Sequence, residues 1–195
     1  VSEGRRAVFL DRDGTIIRDV GYLSDASSVE LLPGVAETLA RVRAAGCDLI
    51  IVSNQSGVAR GYFPIEAVHR INARVAEMLK SACADVTAFY FCPHYEKGVV
   101  PEYSIACDCR KPAPGLILRA ARELAIDLSR SFFVGDSMVD VECGGNAGVR
   151  TILVRSRNLE EDSWAGSNEL VRHATGADFV VDSIEEIVHI VLGDK

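Results

Sequence analysis

Apolar positions along the chain fall into two periods, one of strands and one of helices. Ala7–Leu10 is a short apolar run that ends in acids and reads as a buried strand. Val35–Ala45, entered by Pro33-Gly34 and closed by Gly46, reads as a helix. Leu49-Ile50-Ile51-Val52, inside Asp48–Ser53, predicts a second strand. Between Ile65 and Cys83 the apolar residues Val68, Ile71, Val75, Met78 and Leu79 recur at helical spacing. Val86–Phe91 is a third expected strand, and residues 92–112 an irregular loop. A helix over Pro114–Leu124, a strand over Ser131–Val134, a short helix over Val139–Ala147 and a strand over Thr151–Val154 follow. Residues 156–168 are polar and receive no element. Beyond them come a helix at Leu170–Ala174, a short edge strand at Phe179–Val181 and a closing helix at Ile184–Leu192.

This alternation implies an α/β fold: a Rossmann-like parallel sheet with helices on both faces. The 195 residues suit one domain spanning 1–195, without a large second domain. At 48% hydrophobic and 25% charged residues the chain is an ordinary globule with enough apolar surface for one core. Acids exceed bases by 28 to 21, which disfavours a nucleic-acid partner but leaves room for an anionic small molecule held by a few local cations. No run approaches the about 18 apolar residues of a membrane span. The start passes from Arg5-Arg6 into a short apolar run without a signal-peptide core, so a cytoplasmic location is expected. No dimer seam stands out, and a monomer is expected.

In open parallel sheets, ligands bind beyond the carboxyl ends of the strands. Four expected strand ends carry polar chemistry: Asp11-Arg12-Asp13-Gly14-Thr15, then Ser53-Asn54, then the loop leading to Arg110-Lys111-Pro112, then Gly135-Asp136-Ser137 with Asp140 close behind. Asp11 and Asp13 are two apart, a spacing that points both side chains roughly the same way. Two close carboxylates repel unless a cation or a proton intervenes. With Asp136 from another strand, plus waters and a substrate phosphate, they suit Mg²⁺. A carboxylate can also attack phosphorus, Lys111 can neutralise charge there, and Ser53 and Asn54 can donate hydrogen bonds to phosphoryl oxygens.

The six cysteines are not spaced as a disulfide framework. Cys92, Cys107 and Cys109 lie close together with His94 among them, a pattern that in such a chain favours metal binding. Cys47, Cys83 and Cys143 are expected to be small buried hydrophobes.

Taken in order, Asp11-Arg12-Asp13-Gly14-Thr15, Ser53-Asn54, Lys111 and Gly135-Asp136 resemble the four motifs of the haloacid-dehalogenase-like (HAD) phosphatases. Cys92-Pro93-His94 with Cys107-Asp108-Cys109-Arg110-Lys111-Pro112 resembles the zinc loop of the D-glycero-D-manno-heptose 1,7-bisphosphate phosphatases, a loop shared with histidinol-phosphate phosphatases. Asn54–Gly61 and Asp19-Val20-Gly21-Tyr22 are closer to the heptose branch, although Ser137 stands where many members of that branch carry lysine.

The resemblance implies a HAD-like fold without a large cap and a phosphatase working through an aspartyl-phosphate on Asp11. Asp13 would be general acid and then base, protonated at the outset while Asp11 stays ionised. Mg²⁺ would be held by Asp11, the Asp13 carbonyl and Asp136, with Asp140 outside the first ring of ligands. Zn²⁺ would sit in residues 92–109 on Cys92, His94, Cys107 and Cys109, a closed Cys₃His set of structural type. The expected substrate is a sugar phosphate, a heptose 1,7-bisphosphate hydrolysed at C7, with histidinol phosphate the alternative. Asp19, Gly21, Tyr22, Gln55, Ser56, Arg60, Arg110 and Ser137 are the expected substrate contacts, beside Ser53, Asn54 and Lys111.

Overall fold

The structure is a computed structural model that describes residues 4–155 and 168–193. The polar stretch 156–168 therefore falls outside it, except for its last residue. Six strands, β1 (Ala7–Leu10), β2 (Asp48–Asn54), β3 (Ala88–Cys92), β4 (Phe132–Gly135), β5 (Arg150–Val154) and β6 (Phe179–Val181), form one sheet. Its order is β3-β2-β1-β4-β5-β6, and every pairing is parallel. Among the described residues six helices accompany them: α1 (Val35–Ala44), α2 (Ile65–Ser81), α3 (Gly115–Leu124), α4 (Met138–Ala147), α5 (Asn168–Thr175) and α6 (Ile187–Leu192).

The strands are apolar on both faces because both are covered. Val8 and Leu10 of β1, with Leu49 and Ile51 of β2, pack against Leu39 of α1, Ile71 and Val75 of α2 and Val188 of α6. Their chain neighbours Ala7, Phe9, Ile50 and Val52 point the other way, onto Leu116 and Ile117 of α3 and Cys143 of α4. That is the two-residue alternation of a strand, repeated on adjacent strands in register.

Boundaries moved where long-range pairing overrides local pattern. β3 begins two residues later than expected and takes in Cys92, because Asn54 pairs with Cys92 across the β2–β3 ladder. The closing helix opens as a single 3₁₀ turn, Ile184–Glu186, before α6. Cys83 is exposed rather than buried; it follows α2 with φ +61°, turning the chain away from the helix. Cys47 and Cys143 are buried as expected. No helix among the described residues is long and apolar enough to cross a membrane.

From β1 the chain runs outward through β2 and β3, then returns to place β4 on the other side of β1. The strand order thus reverses between β1 and β4, and a crevice opens beyond their carboxyl ends. Asp11 follows the first of these strands and Asp136 the second.

Candidate active site and metal centre

A cavity of about 620 Å³ lies at that reversal. Its floor holds the carboxylates of Asp11, Asp136 and Asp140, each offering an oxygen within 4.8 Å of the others. Lys111 enters from the third crossover, with only 4% of its side chain exposed. Its Nζ donates to Asp11 Oδ1 at 2.6 Å, to Asp140 Oδ1 at 2.6 Å and to the Val52 carbonyl at 3.2 Å. Burial alone would lower the pKa of this ammonium; the carboxylates of Asp11 and Asp140 outweigh that and hold it above its ordinary value.

Burial has the opposite consequence for the acids. It pushes Asp11 well above the usual carboxylate range against the pull of Lys111, with Asp140 and Asp136 adding to the rise. It also raises Asp136 to about 6, helped by the charge on Asp140. When all three acids are ionised, the three carboxylates and one ammonium leave two negative charges in a largely dry pocket. A hard divalent cation with oxygen ligands matches that charge and donor set. Gly14 makes the close approach possible: its φ is +87°, and a Cβ there would collide with the Asp136 carboxylate. Thr15 Oγ1 donates to Asp136 Oδ1 at 3.4 Å.

Asp13 departs from the picture of two acids pointing one way. It lines the cavity but stands outside the three-acid group. Arg12 Nη2 donates to both its oxygens, at 3.1 and 3.0 Å, and Gln55 Nε2 donates to Oδ2 at 2.8 Å. The three-acid group holds Asp140 in its place. Asp140 also closes the first turn of α4, accepting from Ser137 N at 3.2 Å and Ser137 Oγ at 2.5 Å. Ser137 thus caps a helix while bordering the cavity, and its partner Asp140 braces Lys111.

Asn54 has a second use beyond the expected one. Its side-chain amide binds the main chain of Lys111 in both directions, donating to the carbonyl at 3.1 Å and accepting from the amide nitrogen at 3.0 Å. The side chain thus places Lys111 through one of its two N–H groups and its carbonyl oxygen. Ser53 is buried beside it and accepts from Gln55 Nε2 at 3.3 Å.

Among the expected substrate contacts, Asp19, Gly21, Tyr22, Gln55, Ser56, Arg110 and Ser137 line the cavity. Arg60 does not; its guanidinium lies 3.8 Å from the Tyr95 ring centroid and 5.9 Å from that of Tyr22. It ties together the loops that carry those rings, an attraction of cation for π face. Nothing local in the sequence marks Arg12 and Asn72 as partners, because their hydrogen bond depends on α2 folding back over the first loop. Asp140, expected outside the metal's first ring of ligands, offers an oxygen within 4.8 Å of those of Asp11 and Asp136. The one local signal for Asp140 was its place three residues after Ser137, the spacing of a helix cap.

Beside the cavity, Cys92, His94, Cys107 and Cys109 form a second cluster. Cys92 Sγ lies 3.5 Å from Cys107 Sγ and 3.2 Å from Cys109 Sγ, while His94 Nδ1 lies 3.3 Å from Cys109 Sγ. All the cysteines are free thiols. The neighbouring Cys92 and burial push the Cys109 thiol up. Three sulfurs and one ring nitrogen at these separations can hold a tetrahedral Zn²⁺.

Comparison with known proteins agrees with this arrangement. The family described as HAD-hydrolase-like matches residues 108–187. A D-glycero-beta-D-manno-heptose-1,7-bisphosphate 7-phosphatase of Pasteurella multocida is 36% identical, covering 98% of this chain and 99% of its own. The D-glycero-D-manno-heptose-1,7-bisphosphate 7-phosphatase of Thermosynechococcus vestitus is 39% identical over 94% of both. The crystal structure of D,D-heptose 1,7-bisphosphate phosphatase from B. bronchiseptica, complexed with magnesium and phosphate, superposes with a TM-score of 0.79. It is 27% identical and covers 97% of this chain and 99% of that one. The fold and the site define a HAD-type phosphatase, a phosphomonoester hydrolase without a cap domain. Within that class the chain belongs to the D-glycero-D-manno-heptose-1,7-bisphosphate 7-phosphatase family.

Proposed function

We infer that this enzyme hydrolyses the C7 phosphate of D-glycero-D-manno-heptose 1,7-bisphosphate through an aspartyl-phosphate on Asp11. The near end-to-end likeness to the heptose bisphosphatase of Pasteurella multocida carries the choice of substrate. The Lys111–Asp11 ion pair on the cavity floor supports the choice of nucleophile.

An Asp11 carboxylate oxygen attacks phosphorus, and the bond from phosphorus to the C7 oxygen breaks. Asp13 gives a proton to that oxygen as it leaves. A water then attacks phosphorus, Asp13 takes the water's proton, and inorganic phosphate departs from a regenerated Asp11. Lys111 opposes the negative charge on Asp11 and on the phosphoryl oxygens, and Ser53 donates a hydrogen bond there. Asp11, Asp136 and the Asp13 carbonyl would hold Mg²⁺, which would supply charge neutralisation at the phosphoryl group. Cys92, His94, Cys107 and Cys109 would hold Zn²⁺, which would fix the loop that delivers Arg110 and Lys111. Arg110, on the cavity wall, suits a sugar hydroxyl or the phosphate that is not cleaved.

The test is kcat/KM for the heptose bisphosphate beside histidinol phosphate, with Mg²⁺ present and both metals quantified. A large preference for the heptose bisphosphate is expected, with phosphate lost from C7. A preference for histidinol phosphate would overturn the substrate.

A further inference from the structure

Among the described residues Arg12 is the largest side chain fully withdrawn from solvent, at 1% exposure. Its guanidinium fills the space between the first loop and α2. Nε and Nη2 reach Asp13, and Nη1 donates to Asn72 Oδ1 at 2.8 Å. Asn72 is itself buried, a polar residue among Val68, Ile71 and Val75 of α2. Taking a guanidinium out of water costs several kcal/mol, and a well-packed apolar residue in such a place is commonly as stable or more so. Stability alone therefore does not explain a buried Arg–Asn pair whose only other side-chain partner among the described residues is Asp13. Gln55 grips the same carboxylate from β2's side of the cavity. The outcome is an acid that borders the cavity with 23% of its side chain exposed, held apart from the three acids below it.

We propose that Arg12 and Asn72 are positioning residues for proton transfer by Asp13. Asn72 orients the guanidinium, and the guanidinium fixes the carboxylate in place. This rests on Asp13 being the proton donor of the first step. A sugar alkoxide needs that proton as its bond to phosphorus breaks, whereas p-nitrophenolate leaves well without it. A misplaced Asp13 should therefore slow sugar release and spare nitrophenolate release.

The experiment is a pair of single-turnover measurements with Mg²⁺ present. One follows dephosphorylated heptose product from the bisphosphate, the other the nitrophenolate burst from p-nitrophenyl phosphate. Asn72→Leu and Arg12→Lys are expected to slow the first by about tenfold or more and the second by less than about twofold. Asn72→Asp, which keeps an acceptor for Arg12, is expected to retain the wild-type ratio of the two rates. Because both rates come from one sample, their ratio is independent of the fraction of a variant that folds. Asp13→Asn separates the two claims. If it slows both bursts equally, the reading of Asp13 as proton donor fails. If it shows the split while Asn72→Leu and Arg12→Lys keep the wild-type ratio, the positioning role is overturned.

Discussion

The side-chain amide of Asn54 brackets the main chain of Lys111, giving one hydrogen bond to its carbonyl and taking one from its amide nitrogen. Two residues 57 positions apart are thus joined at the end of β2, and the lysine is placed before its own side chain makes any contact. Losing the bracket should misplace Nζ against Asp11. Asn54→Ala is expected to lower kcat by about 10²-fold with a smaller change in KM. Steady-state kinetics on the heptose bisphosphate check this, and an unchanged kcat would remove the bracket from the mechanism.

Lys111 is the only cation touching Asp11 and Asp140 among the described residues. Its removal strands two buried acids. Lys111→Ala is expected to abolish phosphate release and to cost about 3–5 kcal/mol of stability at pH 8. The cost should shrink towards pH 5, because the stranded Asp11, whose pKa burial raises, can then take up a proton. Denaturant unfolding at the two pH values tests the sign; equal losses would contradict it.

Asp136 has its pKa raised to about 6 from an ordinary 3.8. Between those values the folded protein keeps a proton that the unfolded chain has released, so this group's contribution falls as pH rises through that window. Above pH 6 the ionised group is a penalty, roughly 3 kcal/mol by the size of the shift. In metal-free protein, Asp136→Asn is therefore expected to raise stability at pH 7.5 and to change it little near pH 4. Added Mg²⁺ should raise the Tm of the wild type and have much less effect on the variant. Thermal melts with and without Mg²⁺ provide the measurement, and a metal-free variant less stable at pH 7.5 would refute the account.

Zinc is expected to act through position. Chelation, or Cys107→Ser, should lower activity by loosening the run Cys109-Arg110-Lys111 while the sheet persists in far-UV circular dichroism. Mg²⁺ alone should not restore activity to the chelated protein, and Zn²⁺ should. Full turnover in protein shown by metal analysis to lack zinc would eliminate this role.

Asp11→Asn keeps the shape of the side chain but removes the attacking carboxylate. No phosphate release and no acid-stable labelling of the protein from radiolabelled phosphoryl substrate are expected, against a labelled intermediate in the wild type. Turnover by the variant would displace Asp11 as the nucleophile.

The sequence by itself determined the sheet and most of the residues that meet at its carboxyl edge. Runs such as Leu49–Val52, apolar at consecutive positions, are compatible with a strand covered on both faces, and helices at 3.6-residue spacing supply the covers. The polar residues after each run then had to meet at the carboxyl edge, because parallel strands all end on the same side. Asp11, Lys111 and Asp136 follow from that rule, and the Cys₃His group from the chemistry of its donors. What the tertiary structure decided is how the acids are divided. Asp140 joins Asp11 and Asp136 because α4 starts at the floor of the cavity, while Arg12 and Asn72 draw Asp13 aside. The Asn54 bracket and the Arg60–Tyr95 stack arise in the same way. Each joins segments far apart in sequence, and such a contact leaves no local period or spacing to read. It exists only when packing brings the two surfaces together and burial makes an unpaired polar group costly.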